Sequence, residues 1–375
     1  MKTFITKVLH KILSATNKLT IRAEGDKRAL VSYVKFPFEP FNFKFFFDIS
    51  HNRYLCSYVM CKVLKQLGYT VDLYDYQDTN INYNVDYALF IGHNINFSLI
   101  ANKLPSSCKK IILTTGSSPM YDNQVLAKRE LAVQQLKNTD DSFYEPIKNT
   151  EWAKKNFSAA DYAFMIGNDT IRQTWPPIPK ENVYFYNNLT NVTFQKKFNR
   201  TNNFLYLSST GQLRRGLDII LEIFKDRKEK IYICGPYKEA AFLKHFSHEL
   251  TSCPNIILKG FVDQTSADFA SIIDDCTFGI LPSVSEGQSG SVLTFISHGL
   301  LPVITPETGF VDIDKYGFSI NRVDIPTITE VVSEAVKTSD SELAVKRENL
   351  YVEGSQFTTV HFQQTFTNFI KDITK

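Results

Sequence analysis

Short apolar segments alternate with helical segments along most of the chain, and this alternation limits the fold more than any other feature. The first series contains apolar segments at 29–34, 69–76, 86–93, 109–116, 160–167 and 182–188, with helices predicted over 52–68, around 96–103 and over 122–137. Apolar strands that alternate with helices form parallel sheets covered on both faces. The sequence therefore predicts an α/β fold.

A second series of the same kind occupies the C-terminal half. Its apolar segments are 203–209, 230–236, 255–262, 276–283 and 301–305, and its predicted helices span 214–225, 238–250, 265–274 and 290–299. The polar segment 196–203 breaks the rhythm and is the predicted hinge. We expect two doubly wound, Rossmann-like domains that face each other across a cleft, with ligands at the carboxyl ends of the strands.

Composition and charge exclude several classes of protein. A length of 375 residues suits two domains. Hydrophobic residues make up 43% of the chain and charged residues 22%, which is typical of a globular protein. The net charge of +3 is too small for a nucleic-acid surface, and no run of about 18 apolar residues could span a membrane. The six cysteines lack C-x-x-C spacing, so we expect reduced thiols in a cytoplasmic protein rather than disulfides or metal ligands.

The N-terminal residues predict an amphipathic, basic helix. One side of this helix carries Phe4, Ile5, Val8, Leu9, Ile12 and Leu13, and the other carries Lys7, Lys11 and Lys18. The apolar face either packs on the protein itself or attaches residues 2–19 to anionic lipid. In the second case the protein is peripheral on the cytoplasmic face of the inner membrane.

A Gly/Ser-rich loop with one carboxylate, SEGQSGS, precedes the helix predicted over 290–299. Gly287 and Gly290 allow close approach of the backbone, and amides at the positive end of a helix suit a phosphate. The amides expected to bind it are those of Ser289, Gly290 and Ser291. A phosphate would repel Glu286, which is therefore expected to accept hydrogen bonds from neutral hydroxyls. Alternatively, the loop only caps its helix and Glu286 is solvated.

Two arginines, Arg214 and Arg215, precede the helix predicted over 214–225. Cations are unfavourable at a helix N-terminus unless an anion neutralises them, and arginine binds phosphate oxygens in a bidentate manner. The pair is either a phosphate clamp or a solvated charge pair. Hydroxyls next to a pyrophosphate would describe a nucleotide sugar.

These motifs resemble the GT-B glycosyltransferases, particularly glycosyltransferase family 4, the group 1 transferases. The P-S-x-x-E-G loop of that family is similar to 282–287, and its following strand is similar to 299–305. Its Lys/Arg-Gly pair resembles Arg215-Gly216, and its G-F-V element near the nucleobase resembles Lys259, Gly260 and Phe261. The likeness covers about 203–312, and the N-terminal half resembles the family only in architecture.

The resemblance implies a transferase that moves a sugar from a nucleotide diphosphate sugar with retention of configuration. We expect no metal ion and no cofactor, because the arginines and the helix dipole replace the metal. The resemblance also implies that Glu286 contacts the donor sugar, whereas Thr294 stands where relatives carry a glutamate for the ribose. We expect the acceptor to be a hydroxyl of a glycan or lipid-linked oligosaccharide in bacterial O-antigen or capsule synthesis. Rival functions are a catalytically silent glycan- or nucleotide-binding protein and a nucleotide-sugar epimerase.

Two loops of the N-terminal half follow predicted strands and are expected to form the acceptor side. They contain His93 and Asn94 in the first loop, and Thr115, Gly116, Ser117 and Ser118 in the second. His93 either acts in catalysis or is satisfied by the backbone. We expect four regions: an extension at 1–27, an acceptor-side domain at 28–197, a nucleotide-sugar domain at 198–350, and a helix within 351–375 that returns to the first domain.

Overall fold

The computed structural model describes residues 18–35, 52–143, 150–190, 194–195 and 200–375. Within these ranges the strands form two sheets that follow each other along the chain. The predicted α/β architecture with two Rossmann-like domains is thereby confirmed. Residues 1–17, which contain most of the predicted amphipathic helix, lie outside the described residues. Residues 196–199 of the predicted hinge also lie outside them.

The first sheet has seven strands in the order β1-β3-β2-β4-β5-β6-β7. The strands are β1 (Leu19–Ile21), β2 (Lys27–Tyr33), β3 (Tyr69–Asp75), β4 (Leu89–Gly92), β5 (Lys109–Thr114), β6 (Tyr162–Ile166) and β7 (Val183–Tyr186). Strand β1, which was not predicted, runs antiparallel to β3, whereas the predicted strands of this sheet pair in parallel. The connection from β1 to β2 is too short for the helical crossover that a parallel strand requires.

Helices cover both faces of this sheet. The described helices of the N-terminal half are α1 (Asn52–Gln66), α2 (Phe97–Ala101), α3 (Pro119–Lys137), α4 (Glu151–Ser158) and α5 (Asp169–Arg172). Phe97 and Phe157 bring α2 and α4 onto one face. Helix α1 covers the other face together with the C-terminal helix at Thr359–Ile373, whose Phe362, Phe366 and Phe369 are buried there.

The second sheet is parallel throughout, in the order β10-β9-β8-β11-β12-β13. Its strands are β8 (Phe204–Leu207), β9 (Ile231–Cys234), β10 (Ile256–Gly260), β11 (Phe278–Leu281), β12 (Leu301–Ile304) and β13 (Phe318–Ser319). The described helices of the C-terminal half are α6 (Leu217–Phe224), α7 (Ala240–His245), α8 (Ser247–Ser252), α9 (Ala267–Asp275), α10 (Gly290–Ser297), α11 (Ile313–Tyr316), α12 (Ile325–Lys337) and α13 (Asp340–Gly354), followed by α14 (Thr359–Ile373), which covers the first sheet.

The helix predicted over 238–250 is interrupted in the structure. Phe246 leaves the helical conformation at φ −113° and ψ 19°, and this residue separates α7 from α8. Its buried ring stacks on Phe242 at 4.5 Å and lies 4.2 Å from the ammonium group of Lys137. These contacts hold the ring of Phe246 in the core, and the helix is interrupted at this residue.

Helix α3 lies between β5 and β6 in the sequence, but it does not cover the sheet that these strands form. Val133 on α3 and Phe143 beyond it belong to the hydrophobic core of the second domain. Lys137 forms ion pairs with Glu222 and Glu249 of that domain, and Arg129 forms one with Asp218. The segment 119–143 is therefore an arm that reaches from the first domain onto the second.

All six cysteines lie in the described residues, and none forms a disulfide. Five of the thiols are buried and Cys253 is half-buried. Burial raises the pKa of the Cys61 thiol to about 12 and that of Cys108 to about 11. Among the described helices, none combines the length and the apolar composition needed to cross a lipid bilayer.

Candidate active site

The loop that joins β11 to α10 lies where the carboxyl edges of the two sheets meet. Its Glu286 carbonyl accepts hydrogen bonds from the amide of Ser117 at 2.9 Å and from the hydroxyl of Ser117 at 2.5 Å. Asn188, which follows β7, donates its side-chain amide to the carbonyl of Gln288 at 2.8 Å. The loop that carries Glu286 is therefore held by both domains.

Gly287 is the point of closest approach in this loop. A Cβ atom added at Gly287 would lie 2.8 Å from Cα of Gly116 and 2.8 Å from Cγ2 of Ile166. A Cβ atom at Gly309, where φ is +79°, would lie 2.8 Å from the carbonyl oxygen of Gly287. Only glycine at position 287 allows the two domains to approach this closely.

Substitution of Gly287 by alanine is expected to push the two loops apart and to lower the free energy of unfolding by about 1–3 kcal/mol, the usual cost of overpacking. The matched control is Gly290→Ala, because an added Cβ there would have Asn52 Nδ2 as its nearest neighbour, at 3.6 Å. Denaturant unfolding of both variants provides the measurement. Equal stability of the two variants would show that the close approach at Gly287 is not required.

The two arginines are positioned by the turn that precedes α6. The carbonyl of Arg214 accepts hydrogen bonds from the amide of Val284 at 2.9 Å and from the hydroxyl of Ser283 at 3.1 Å. Gly216, at φ +71°, caps α6 and lies against Pro282, where an added Cβ would be 2.6 Å from the carbonyl oxygen. These contacts join the turn at residues 211–216, called the arginine turn below, to the loop that carries Glu286.

Glu286 is paired with a cation in the structure. Nη1 of Arg215 lies 2.9 Å from its Oε1, and the two side chains are 10% and 13% exposed. The hydrogen bonds that Glu286 is expected to accept from hydroxyls involve a bound sugar, and they stay a prediction. A nearly buried guanidinium requires an anion, and Glu286 is the carboxylate that the adjoining loop supplies.

Arg214 faces a carboxylate of the opposite domain. Its Nη1 lies 3.5 Å from Oδ2 of Asp122, which is in the first turn of α3. The hydroxyl of Ser285 donates a hydrogen bond to the same carboxylate. Sequence reasoning missed Asp122, because an acidic residue in the first turn of a helix is commonplace.

The N-terminus of α10 offers fewer free amides than expected. The amide of Ser289 donates to the carbonyl of Thr308 at 3.3 Å, so the prediction of a free amide at Ser289 is wrong. The amides of Gly290 and Ser291 lie in the first turn of α10, where the helix supplies no acceptor. Thr294 on the next turn donates to the Gly290 carbonyl at 3.0 Å and lies 3.3 Å from Gln264 Oε1.

Several buried polar atoms of this region have no hydrogen-bond partner among the described residues. They include Nε of Arg215, Oε1 of Glu286 and Oγ of Ser289. The contact of Glu286 Oε1 with Arg215 is an ion pair without hydrogen-bond geometry. Buried polar groups are normally satisfied, so unsatisfied atoms clustered around one loop indicate a site for a polar ligand.

Two further carboxyl groups border the arginine turn and the loop after β12. Glu239 accepts a hydrogen bond from the amide of Gly211 at 3.1 Å, and burial raises the pKa of its carboxyl group. Burial also raises the pKa of Glu307, which lies in the 3-10 turn after β12. Both groups are therefore easier to protonate than solvent-exposed glutamates.

The residues predicted near the nucleobase lie at the edge strand β10. Lys259 forms an ion pair with Asp268 at 2.8 Å, and Gly260 has φ +65°. The ring of Phe261 is 83% exposed. Strands β9 and β8 separate β10 from β11, so these residues lie several strands away from the loop of Glu286.

The predicted acceptor side is only partly available for a ligand. His93 Nδ1 is hydrogen-bonded to the Leu113 carbonyl at 3.0 Å, and burial of the ring lowers the pKa of His93. These contacts match the alternative in which the backbone satisfies His93. Asn94 at φ +66° uses its carbonyl to accept from Asn156 at 2.6 Å.

The loop after β5 divides into exposed and buried positions. Thr115 is exposed, and the carbonyl of Gly116 accepts from Trp175 Nε1 at 2.8 Å. Ser118 is fully buried, where its hydroxyl bonds to the Thr174 carbonyl at 2.5 Å and caps α3. The prediction that the Ser118 side chain belongs to the acceptor side is therefore wrong, because this side chain is needed to begin the helix.

The structure has two Rossmann-like domains, and the carboxyl edges of their sheets meet at one loop. This arrangement defines the GT-B class of folds. Residues 201–337 match the family model of the glycosyl transferases group 1. The resemblance that the sequence motifs indicated is thereby confirmed, and the match covers the region of Arg215 and Glu286. A search of curated proteins gave no match.

Solved structures with this fold are distant in sequence. Sucrose-phosphate synthase from Thermosynechococcus elongatus is 10% identical with a TM-score of 0.65, over 93% of this chain and 99% of that one. WaaG, a glycosyltransferase involved in lipopolysaccharide biosynthesis, is 12% identical with a TM-score of 0.57, over 91% and 99%. A variant of S. aureus TarM in complex with UDP is 14% identical with a TM-score of 0.54, over 85% of this chain and 58% of TarM. This chain thus spans somewhat more than half the length of TarM.

Proposed function

We propose that this protein transfers a sugar from a nucleotide diphosphate sugar to a hydroxyl of a glycan or lipid-linked oligosaccharide. The observation that carries this proposal is the group of unsatisfied polar atoms on Arg215, Glu286 and Ser289, located at the meeting point of the two sheets. The same residues lie within the match to the glycosyl transferases group 1. The TarM complex with UDP supports a uridine nucleotide as one candidate donor.

The leaving group is held by the arginine turn and the start of α10. The amides of Gly290 and Ser291 lie at the positive end of the helix, and Arg215 supplies a guanidinium at Glu286 of the preceding loop. These groups stabilise the negative charge that grows on the diphosphate as the bond to the sugar breaks. We therefore propose that the reaction needs neither a metal ion nor a cofactor.

Glu286 has two partners in this proposal. Without a donor it neutralises Arg215, as the 2.9 Å ion pair shows. When the diphosphate takes over the charge of Arg215, Glu286 becomes free to accept hydrogen bonds from hydroxyls of the donor sugar. This exchange keeps the guanidinium paired in both states and orients the sugar ring.

We further propose that the anomeric configuration is retained. In that mechanism the acceptor hydroxyl attacks from the face of the departing diphosphate. The acceptor oxygen forms the new bond to the sugar, the bond to the phosphate oxygen breaks, and the hydroxyl proton passes to the leaving phosphate. The support is the likeness to the group 1 transferases over residues 201–337.

Incubation with UDP-, GDP- and ADP-sugars tests the function against its rivals. The proposal predicts release of the nucleotide by hydrolysis or transfer, in the presence of EDTA as well. Recovery of an epimerised nucleotide sugar would identify an epimerase instead. Binding without any turnover would identify a catalytically silent binding protein.

We also propose that the protein acts in surface polysaccharide synthesis at the cytoplasmic face of the inner membrane. The basic, amphipathic pattern at residues 2–19 supports the membrane contact. The likeness to WaaG, a glycosyltransferase involved in lipopolysaccharide biosynthesis, supports the role in polysaccharide synthesis. Deletion of residues 2–17, which spares β1 and the Lys18–Asp72 ion pair, should abolish cosedimentation with vesicles of anionic lipid. If the shortened chain cosediments as well as the full chain, the membrane contact is refuted.

A further inference from the structure

Asp122 is the carboxylate through which the first domain reaches the arginine turn of the second. It belongs to the first turn of α3, and its side chain is 13% exposed beside Arg214, which is 30% exposed. The hydroxyl of Ser285 donates to Asp122 and keeps its carboxylate at the arginine. The contact joins two residues 92 positions apart in the sequence.

The two arginines of the turn are therefore neutralised from different sides. Arg215 pairs with Glu286 of its own domain, whereas Arg214 pairs with Asp122 of the opposite domain. The contact at Arg214 is the longer one, 3.5 Å against 2.9 Å. A weakly held and partly exposed guanidinium can exchange one anion for another more easily than a buried one.

One side of the Arg214 guanidinium is bounded by its own turn. A Cβ atom added at Gly211 would lie 3.5 Å from its Nε and 3.6 Å from its Nη2, so the guanidinium lies against the backbone of that turn. A diphosphate bound at the arginine turn would bring several negative charges close to Asp122. Like charges in a partly buried cleft repel each other more strongly than in water.

We propose that Asp122 is an internal anion that competes with the diphosphate of the donor for Arg214 and thereby lowers donor affinity. This inference rests on the proposed function of the arginine turn. Asp122 is a positioning residue for the empty site: it keeps Arg214 in place before the donor arrives and is displaced when the diphosphate binds.

The test is calorimetric titration of the full chain with UDP, GDP and ADP. Asp122→Asn keeps an oxygen that can accept from Ser285 but removes the charge. We expect this variant to bind the preferred nucleotide about three- to tenfold more tightly than the wild type. A change in affinity of this size corresponds to the loss of one ion-pair contact that water partly screens. The matched control is Asp226→Asn, an exposed position beyond the far end of α6, which should leave the affinity unchanged.

A second pair of variants assigns the effect to Arg214. The gain from Asp122→Asn should disappear in the background of Arg214→Gln, because the competing partner is then absent. Unchanged or weaker binding by Asp122→Asn, when the wild type does bind a nucleotide, would overturn the inference and leave the proposed function intact. Failure of the wild type and all variants to bind any of the three nucleotides would overturn both.

Discussion

Replacement of Arg129 by methionine is expected to lower the free energy of unfolding by about 3–5 kcal/mol, the typical cost of leaving a buried charge without its partner. Arg129 on α3 forms an ion pair with Asp218 on α6, and the side chains are 11% and 2% exposed. Burial outweighs the attraction of Arg129 and raises the pKa of Asp218. Without the guanidinium, Asp218 would have to remain charged in the core or bind a proton.

Denaturant unfolding followed by circular dichroism measures this effect. The double variant Arg129→Met with Asp218→Leu should regain most of the stability, because it removes both charges together. Lys154→Met is the control, since Lys154 and its partner Glu151 are 59% and 64% exposed. A loss of less than about 1 kcal/mol in Arg129→Met, the range of a surface pair, would show that the interface of α3 with the second domain is open to water.

Substitution of Arg215 by glutamine is expected to lower the turnover rate by about 10²–10³-fold, the usual effect of removing one preorganised contact to a developing charge. Arg215 supplies the guanidinium at the diphosphate, and its loss also leaves Glu286 without a cation. The decrease should appear in kcat at saturating donor and not only in KM, because the charge on the leaving group is largest in the transition state.

Steady-state rates of nucleotide release give the comparison, with Arg322→Gln as the control. The side chain of Arg322 is 75% exposed and pairs with Asp324 at the start of α12. This control should retain full activity. Wild-type kcat in a folded Arg215→Gln variant would exclude Arg215 from the reaction.

The alternation of strands and helices predicted most of the fold. Residues 111–113 of β5 and 301–304 of β12 are apolar in sequence and buried in the structure, so the local pattern and the core agree. Strand β1 escaped the prediction because Leu19–Ile21 is only three residues long. Its place at the edge depends on pairing with β3 rather than on its own sequence.

The path of α3 could not be predicted from its sequence. A helix between two strands of one sheet normally covers that sheet, and the residues that direct α3 elsewhere act through partners far along the chain. Arg129 meets Asp218 across 89 positions, and Lys137 meets Glu249 across 112. Such pairings are set by the tertiary fold, and no local pattern reveals them.

The candidate site was predicted in part. The loop of Glu286 and the arginine pair carry a recognisable order of motifs, and the structure brings Arg215 and Glu286 together. Asp122 and Gln288 carried no local signal, because their contacts cross from one domain to the other. Ser118 failed as a site residue because its hydroxyl serves the backbone of α3.

A crystal structure of the full chain with its preferred nucleoside diphosphate tests most directly whether the loop after β11 is the donor site. We expect diphosphate oxygens within hydrogen-bond distance of the amides of Gly290 and Ser291 and of the guanidinium of Arg215, with Glu286 released from its ion pair. A nucleotide bound elsewhere, with the pair of Arg215 and Glu286 still at 2.9 Å, would contradict the account.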